Sequence, residues 1–503
     1  MRDLFLTLFI FGYIPWIIIR PHYGIFMWSW LTYMTPHRLT WSFAFDFRFN
    51  YFVTIITLYA IFRSKDYKIR VPLNFATFFW IFFSFWVTLS GIDAIEQGAA
   101  WAEWIRYMKI QIMVIVTYVL IKKKEHLIFL VGVIAFSIGF FAFKGGIFTL
   151  LKGGHFRVLG PEFSFIADNN TFALAINMTI PLMFYFFETV KNKLYRLLIM
   201  FQIFLCILSV FGSYSRGGLI GLLAIAIALW LSSSRKIILL IFILILIPTA
   251  EMIMPEKWTQ RISPMLDSLN IPHTIPANWL LSPRRILENK EFLSNTIMDS
   301  NIEKFETNQG LIKEDAEILR DLSIKGRFDA WNMAKLMSKD RPFFGGGFGS
   351  FSQESFDRYT PGVFRHAAHS IYFQVLGEQG YAGLIIWSLM HVATIFTGLW
   401  VVFRCNKDPD LDWASIMARN IIIGMLGYYS SGLSLGLAYY DLPYHYSAIL
   451  VILKLLAKQK FLQRKNNRND QESNKGTRAN HTFPFTPPKA TQKPHNPLQS
   501  PSG

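Results

Sequence analysis

The sequence has little charge and almost no cysteine. Only 17% of its 503 residues are Asp, Glu, Lys or Arg, whereas 52% are hydrophobic. A soluble protein of this length needs a larger charged fraction to cover its surface. Of the two cysteines, Cys206 lies in an apolar run and Cys405 in a basic loop, so they indicate no disulfide framework. These shortages exclude a soluble globular fold and a disulfide-rich secreted domain.

Long apolar runs make up most of the chain and predict an all-α polytopic membrane protein. A helix needs about 20 residues to cross a hydrocarbon core about 30 Å thick. No small-residue cleavage site follows the first run, so we interpret it as a retained first helix. We predict twelve transmembrane helices, over residues 4–19, 47–62, 73–92, 107–121, 127–144, 171–189, 197–213, 217–233, 237–254, 381–403, 415–436 and 443–457.

The positive charge is concentrated in short loops. The net charge is +17, and Lys and Arg cluster at 63–70, 122–124, 191–196 and 235–236. These clusters alternate with loops poor in Lys and Arg, which is the positive-inside pattern of a multi-pass membrane protein. To keep that alternation, the short apolar stretch 24–35 must be re-entrant or interfacial, and both termini then face the cytoplasm.

One long connection and the C-terminal tail differ from the rest. We predict nine transmembrane helices in 1–254, a large loop over 255–368, three more in 369–457 and a tail over 458–503. Apolar residues at helical spacing predict that the loop is a helical domain, on the side opposite the basic clusters. The tail is polar, basic and rich in proline, which predicts a disordered cytoplasmic segment.

Four polar stretches on the side of the large loop contain the candidate site residues. They are HFRVLGPEFSFIADNN (155–170), GSYSRGG (212–218), GRFDAW (326–331) with RPFFGGGFGSF (341–351), and RHAAHSIYFQVLGEQGYAGL (365–384). Arg157, Arg216 and Arg327 are cations suited to bidentate contact with phosphate oxygens. The three glycines around Gly346 permit close backbone approach and offer N–H groups to an anion.

His366 and His369 add titratable groups at the start of a predicted span. A histidine has a pKa near neutrality and can accept a proton from a hydroxyl nucleophile. Arginines with such a base indicate group transfer from a polyprenyl diphosphate donor. No cysteine or third histidine is near enough in sequence to complete a zinc site, so we predict no metal.

Each of these residues also has an ordinary structural interpretation. Arg216 would anchor a helix end at the lipid headgroups, and Arg327 would pair with an acid on a solvated surface. An interfacial histidine such as His369 is commonly satisfied by a backbone carbonyl. A run of three glycines is often a loop hinge. No single residue therefore decides the function.

Taken together, these stretches resemble a known family. SYSRGGLIGLL, GRFDAWNMAKLMSKDRPFFGGGFGSF and HAAHSIYFQVLGEQGYAGL, in this order, resemble the O-antigen ligase and polymerase superfamily. Near the N-terminus, RPHYGIFMWSWLTYMTPHRLTWSFAFDF resembles one branch more closely, the O-glycosylation ligases associated with the exosortase A system. The resemblance covers residues 1–455 and leaves out only the tail.

The resemblance implies a glycosyltransferase of the bacterial inner membrane, of the polytopic, lipid-sugar-dependent type. Such an enzyme takes a glycan from an undecaprenyl-diphosphate carrier and joins it to an acceptor hydroxyl in the periplasm, without a metal or cofactor. Its partners are then the lipid-linked donor, a lipid or protein acceptor and the membrane lipids, and not nucleic acid.

The resemblance also implies roles for individual residues. Arg216 and Arg327 match the arginines that serve the diphosphate in the family, and Arg157 is a third candidate for that role. His369 matches the histidine that activates the acceptor. The secondary candidates are Asn169, Asn170, His366 and Gly346.

Two other functions stay open at this point. A polymerase that joins lipid-linked repeat units would use the same residues and differ only in its acceptor. A transporter or flippase for lipid-linked sugars would also suit twelve spans, but it should carry ionisable residues deep in several spans and show paired halves. Here the charges gather at one face and we find no internal repeat, which favours a transferase.

Overall fold

The computed structural model describes residues 1–233, 236–237 and 325–479, and the regular structure in this part is helical. Nearly all of the predicted span 237–254 and most of the large loop lie outside it. The helices are α1 (Arg2–Ile19), α2 (His22–Met34), α3 (Phe43–Asp46), α4 (Phe49–Arg63), α5 (Phe75–Ile92), α6 (Gln97–Leu120), α7 (Lys124–Leu151), α8 (Asn169–Thr189), α9 (Lys193–Gly212), α10 (Arg216–Ser232), α11 (325–340), α12 (Gln353–Tyr359), α13 (Ile371–Cys405), α14 (Asp412–Ser431) and α15 (Asp441–Ala479).

Six of these helices are long and apolar enough to cross a membrane, namely α1, α5, α7, α8, α9 and α13. Helices α4 and α10 are also apolar but shorter. The chain is therefore a helical membrane protein, as its apolar runs predicted. The number of twelve spans stays a prediction, because one of them falls almost entirely outside the described residues.

Helix α8 is the most buried of the candidate spans and packs against α9, α10 and α14. Its Asn177 side chain donates to Gly218 O of α10 at 2.7 Å and to Ser431 Oγ of α14 at 3.2 Å. Gly221 lets α10 approach closely, since a Cβ there would lie 1.9 Å from Ser431 Oγ. These contacts hold the beginnings of α8 and α10 beside the end of α14, and the candidate site lies at this end of the bundle.

The N-terminus lies at the same end of the bundle as the loop 155–168. Asp3 at the start of α1 accepts a hydrogen bond from Ser42 N at 3.0 Å. Shortly before that serine, the guanidinium carbon of Arg38 lies 5.0 Å from the ring centroid of Phe163, within the loop. Helix α1 therefore begins beside this loop and runs away from it.

Helix α2 returns from the opposite end of the bundle. The His22 ring stacks on the His126 ring with centroids 3.9 Å apart, and His126 lies in the first turn of α7, far from the loop 155–168. Most residues of α2 are buried, and the helix packs on α4 and α7. Whereas the orientation of the two termini stays a prediction, the prediction that 24–35 is re-entrant or interfacial conflicts with these contacts. Its error is physical: hydropathy and loop charge do not reveal a short helix that is buried by its neighbours.

The course of α1 and α2 in the structure, in which α1 begins beside the loop 155–168 and α2 returns from the opposite end, is directly testable. In a variant with both native cysteines replaced by alanine, we expect a cysteine at position 2 to react with a membrane-impermeant maleimide from the same side as a cysteine at position 162. A cysteine at position 65, in an exposed basic loop, should react from the other side. Labelling of positions 2 and 65 from the same side of the membrane would contradict this topology.

Residues 457–503 form a second unit, of which the structure describes 457–479. Helix α15 continues to Ala479, so the predicted disorder of the tail is wrong for 458–479. Lys, Arg, Gln and Leu are good helix formers, and a polar composition excludes a buried core but not a helix. The remainder of the predicted tail, 480–503, lies outside the described residues.

Candidate functional site

A tight turn between α9 and α10 positions Arg216. Ser215 caps α10, its Oγ accepting a hydrogen bond from Gly218 N at 3.0 Å. Tyr214 before it has a left-handed backbone (φ 57°), and its hydroxyl donates to Gly154 O at 2.5 Å. Because a non-glycine residue adopts this conformation at a cost, the surrounding contacts must hold the turn. Arg216 is thus the first residue of α10 and is half-buried.

Helix α11 brings Arg327 to the same end of the bundle. Its Trp331 indole donates to Ala368 O at 2.7 Å and stacks on the Phe373 ring at 4.7 Å between centroids. Gly326 lies under the His366 ring, since a Cβ there would be 2.8 Å from His366 Cε1. These contacts fix α11 against the segment that leads into α13, and they leave Arg327 half-buried.

His369 occupies a constrained position immediately before α13. Its backbone is left-handed (φ 44°), a conformation that costs free energy for a residue with a side chain. Ile371 N donates to Gly432 O at 2.9 Å, which ties this segment to the end of α14. Strained backbone that is held by its surroundings is common at functional sites. The imidazole is half-buried.

Electrostatic coupling indicates that Arg327 lies near both Arg216 and His369. Burial lowers the pKa of His369 below its ordinary value of 6.5; Arg327 and His366 lower it further, and Asp168 raises it. Burial also lowers the pKa of Arg327, and the neighbouring Arg216 adds to this effect. Two neighbouring guanidinium groups that repel each other are suited to binding an anion.

Asp168 is the residue of this cluster that sequence reasoning missed. It caps α8, with its carboxylate accepting from Asn170 N at 2.8 Å and Thr171 N at 3.2 Å. The pattern D-N-N-T before an apolar run is a helix N-cap signal, and that signal was available in the sequence. Its proximity to His369 depends on tertiary packing and was not.

The secondary candidates in the same stretch have different positions. Asn169 is buried, and its amide donates to Ser213 O at 2.7 Å, so it ties the start of α8 to the turn that carries Arg216. Asn170 is half-buried in the first turn of α8. Arg157 is exposed, and the next residue, Val158, donates to Gly212 O at 2.9 Å. Arg157 therefore lies beside the turn, at the edge of the cluster.

A break in α13 explains the glycine-rich loop. Gly380 has φ 69° and ψ −176°, which interrupts the helix, and Tyr381 N and Ala382 N donate to Pro342 O, so the carbonyls of Gly377 and Glu378 lose their normal partners four residues on. The carbonyls of residues 376–379 accept hydrogen bonds from elsewhere in the fold. They are Ser338 Oγ to Leu376 O, Gly346 N to Gly377 O, Gly347 N and Ser90 Oγ to Glu378 O, and Trp86 Nε1 to Gln379 O.

The predicted anion-binding role of Gly346 conflicts with this arrangement. Its N–H donates to Gly377 O at 2.8 Å, and those of Gly345 and Gly347 donate to Arg341 O and Glu378 O. Gly345 and Gly347 have positive φ, so glycine is needed here for the path of the backbone. The glycine run therefore stabilises the break in α13 by hydrogen bonds, and its N–H groups are not available to a diphosphate.

Within residues 1–233 and 325–479, no group of three or more His, Cys, Asp or Glu side chains is placed to hold a metal ion. His366 and His369 lie in an irregular segment rather than on one helical turn. Their rings belong instead to the cluster with Arg216, Arg327 and Asp168.

The fold and the site define a helical membrane protein with a cationic, histidine-containing site at one end of its helix bundle. Comparison with protein families makes this more specific. Residues 201–388 match the family model described as O-antigen ligase. Residues 1–191 match a family of unknown function (DUF5935). A search of curated proteins finds no match.

The match to residues 201–388 supports the O-antigen ligase superfamily for this chain. It spans the segments that carry Arg216, Arg327 and His369. The family indicates a membrane protein of ligase or polymerase type, an enzyme that transfers glycosyl groups, and a lipid-linked glycan as its substrate.

Proposed function

We propose that the protein is a glycosyltransferase that moves a glycan from an undecaprenyl-diphosphate carrier to an acceptor hydroxyl, on the periplasmic side of the bacterial inner membrane. The observation that carries the proposal is the coupling of Arg327 to Arg216 and, separately, to His369 at the end of the bundle. The resemblance of the N-terminal segment adds the narrower proposal that the enzyme belongs to the exosortase-associated O-glycosylation ligases.

Arg216 and Arg327 bind the diphosphate in this mechanism. When the bond from the anomeric carbon to the diphosphate breaks, negative charge grows on the leaving oxygen. The guanidinium groups are already in place, so their attraction increases as the charge develops and lowers the barrier. Asn169 acts indirectly by holding the turn that carries Arg216, and the exposed Arg157 meets the donor at the edge of the site.

His369 acts as the general base. Its neutral imidazole accepts the proton of the acceptor hydroxyl while the oxygen attacks the anomeric carbon, and the diphosphate leaves from the opposite side. Direct displacement inverts that carbon. None of these steps requires a metal ion, because arginines carry the leaving-group charge and histidine carries the proton.

The pH dependence of transfer should report the state of His369. Since burial and then Arg327 lower the pKa of this histidine, we expect the acidic limb of kcat/KM to have its midpoint below pH 6.5. Activity is present above that midpoint, where the imidazole is neutral, and is lost about tenfold per pH unit below it. Neither phosphate of a donor esterified at both ends titrates in this range. A midpoint above 6.5, or the same limb in His369→Asn, would contradict the assignment.

Deletion of the gene separates the three functions that share this architecture. Loss of a ligase leaves full-length glycan on the lipid carrier at the periplasmic face. Loss of a polymerase leaves single repeat units on the carrier at that face. Loss of a flippase leaves the lipid-linked glycan at the cytoplasmic face. We expect the first result, and accumulation at the cytoplasmic face would refute the proposal.

A further inference from the structure

Helix α6 carries a row of charged residues that the proposed reaction does not use. Glu103, Arg106 and Lys109 are spaced by three, so they lie along one side of the helix. Lys109 is twelve residues from the start of α6 at Gln97, roughly 18 Å along the axis. An ionisable residue this far along a helix of a membrane protein is a candidate for function.

The row faces α4 and the loop 155–168. Lys109 Nζ lies 4.6 Å from the centroid of the Tyr51 ring, and Arg48 approaches the same ring at 5.8 Å. One turn nearer the start of α6, the Arg106 guanidinium lies 5.6 Å from the Phe165 ring. We call the surface formed by these five residues the α4–α6 seam. It is open to the surroundings, with Tyr51 43% exposed.

The seam continues into the candidate site. Phe165 lies three residues before Asp168, the carboxylate that acts on His369. Glu103 offsets part of the charge, pairing with Arg106 at 2.8 Å. Arg48, immediately before α4, and Lys109 of α6 still place two cations around one ring. A path of cations and aromatic rings therefore leads from the outside of α4 and α6 to the cluster.

Cations and aromatic rings near a membrane surface commonly anchor a protein at lipid headgroups. Two features favour a more specific role. The cations come from separate segments of the chain and converge on one exposed ring, and the row ends at the loop that borders the site. The lipid tail of the donor stays in the bilayer, so its anionic head group has to reach the site laterally. On that route the head group would pass groups of opposite charge.

We propose that the α4–α6 seam is the lateral entrance through which the diphosphate head group of the lipid-linked donor passes from the bilayer to the site. This inference rests on the proposed function. Positive charge along the seam concentrates the anionic head group and speeds its arrival, while the chemistry takes place at Arg216, Arg327 and His369.

The test compares steady-state kinetics of the full-length protein in lipid nanodiscs. We expect the double variant Lys109→Met with Arg48→Gln to lower kcat/KM for a polyprenyl-diphosphate-linked glycan about tenfold and to leave kcat unchanged at saturating donor. Lys144→Met is the matched control and should behave as wild type. Lys144 is also a lysine over an aromatic ring in a candidate span, 5.8 Å from Phe140 of α7, and it is exposed.

Photolabelling locates the entrance independently of turnover. A polyprenyl diphosphate with a photoreactive group next to its phosphates should label peptides of α4 and α6 even in excess phosphatidylglycerol. Labelling that phosphatidylglycerol abolishes would overturn the proposal and leave ordinary headgroup anchoring. A wild-type kcat/KM in the double variant would also overturn it. If His369→Asn still abolishes transfer in that case, the entrance is wrong and the proposed function stands.

Discussion

Replacing His369 by asparagine is expected to lower kcat for glycan transfer by roughly 100- to 10,000-fold, the usual contribution of a general base. The imidazole is neutral at pH 7 because burial and Arg327 lower its pKa, so it is ready to accept the acceptor proton. Asparagine tolerates the left-handed backbone at this position, where φ is 44°, but its amide is not a base. The loss therefore measures proton acceptance rather than local strain.

The control for this substitution lies on α11. Lys335 is an exposed cation 5.6 Å from the Phe373 ring, on the same helix as Arg327 but two turns further along. Lys335→Ala should transfer at the wild-type rate. We expect the KM for the donor to be unchanged in His369→Asn, because the arginines that bind the diphosphate are intact. Transfer by His369→Asn at the rate of Lys335→Ala would show that His369 is not the base.

Replacing Arg327 or Arg216 by alanine is expected to reduce kcat/KM for the donor by roughly 100- to 1,000-fold, as when one group that stabilises a developing negative charge is removed. The two guanidinium groups act on one another, and Arg327 also acts on His369, so we expect both arginines to contact one diphosphate. Initial rates with increasing concentrations of donor give the loss for each variant.

Lysine substitutions and the double alanine variant of Arg216 and Arg327 distinguish a loss of diphosphate binding from a loss of folding. Lysine keeps the charge but loses the planar pair of donors, so Arg327→Lys and Arg216→Lys should recover only part of the loss. Because both arginines serve the same leaving group, the combined loss in the double alanine variant should be smaller than the product of the single losses. If the loss of kcat/KM in the double variant equals the product of the two single losses, the arginines act on separate groups.

The sequence predicted the helices well where they are long and apolar, because apolar length is the property that the membrane selects. It placed the start of α6 ten residues late, at 107 instead of Gln97, since QGAAWAEWIR is amphipathic and not continuously apolar. It missed the packed helix α2, whose burial comes from α4 and α7 rather than from its own length.

The candidate site was predictable where its residues lie in short stretches that resemble a family, as for Arg216, Arg327 and His369. The spatial relation of Asp168 to His369 depends on α8 and α13 both packing against α14, and the sequence spacing does not indicate it. The role of Gly346 depends on the helix break at Gly380, thirty-four residues further along the chain. No local sequence pattern predicts this break. Backbone hydrogen bonds between distant segments are the information that sequence alone did not supply.

The most direct test of the account is whether this chain alone forms the new glycosidic bond. The purified full-length protein would be placed in proteoliposomes with a radiolabelled glycan on undecaprenyl diphosphate and a hydroxyl-bearing acceptor. The account predicts covalent label on the acceptor, inverted at the anomeric carbon, together with release of undecaprenyl diphosphate. Movement of the labelled lipid across the bilayer with no label on the acceptor would contradict it.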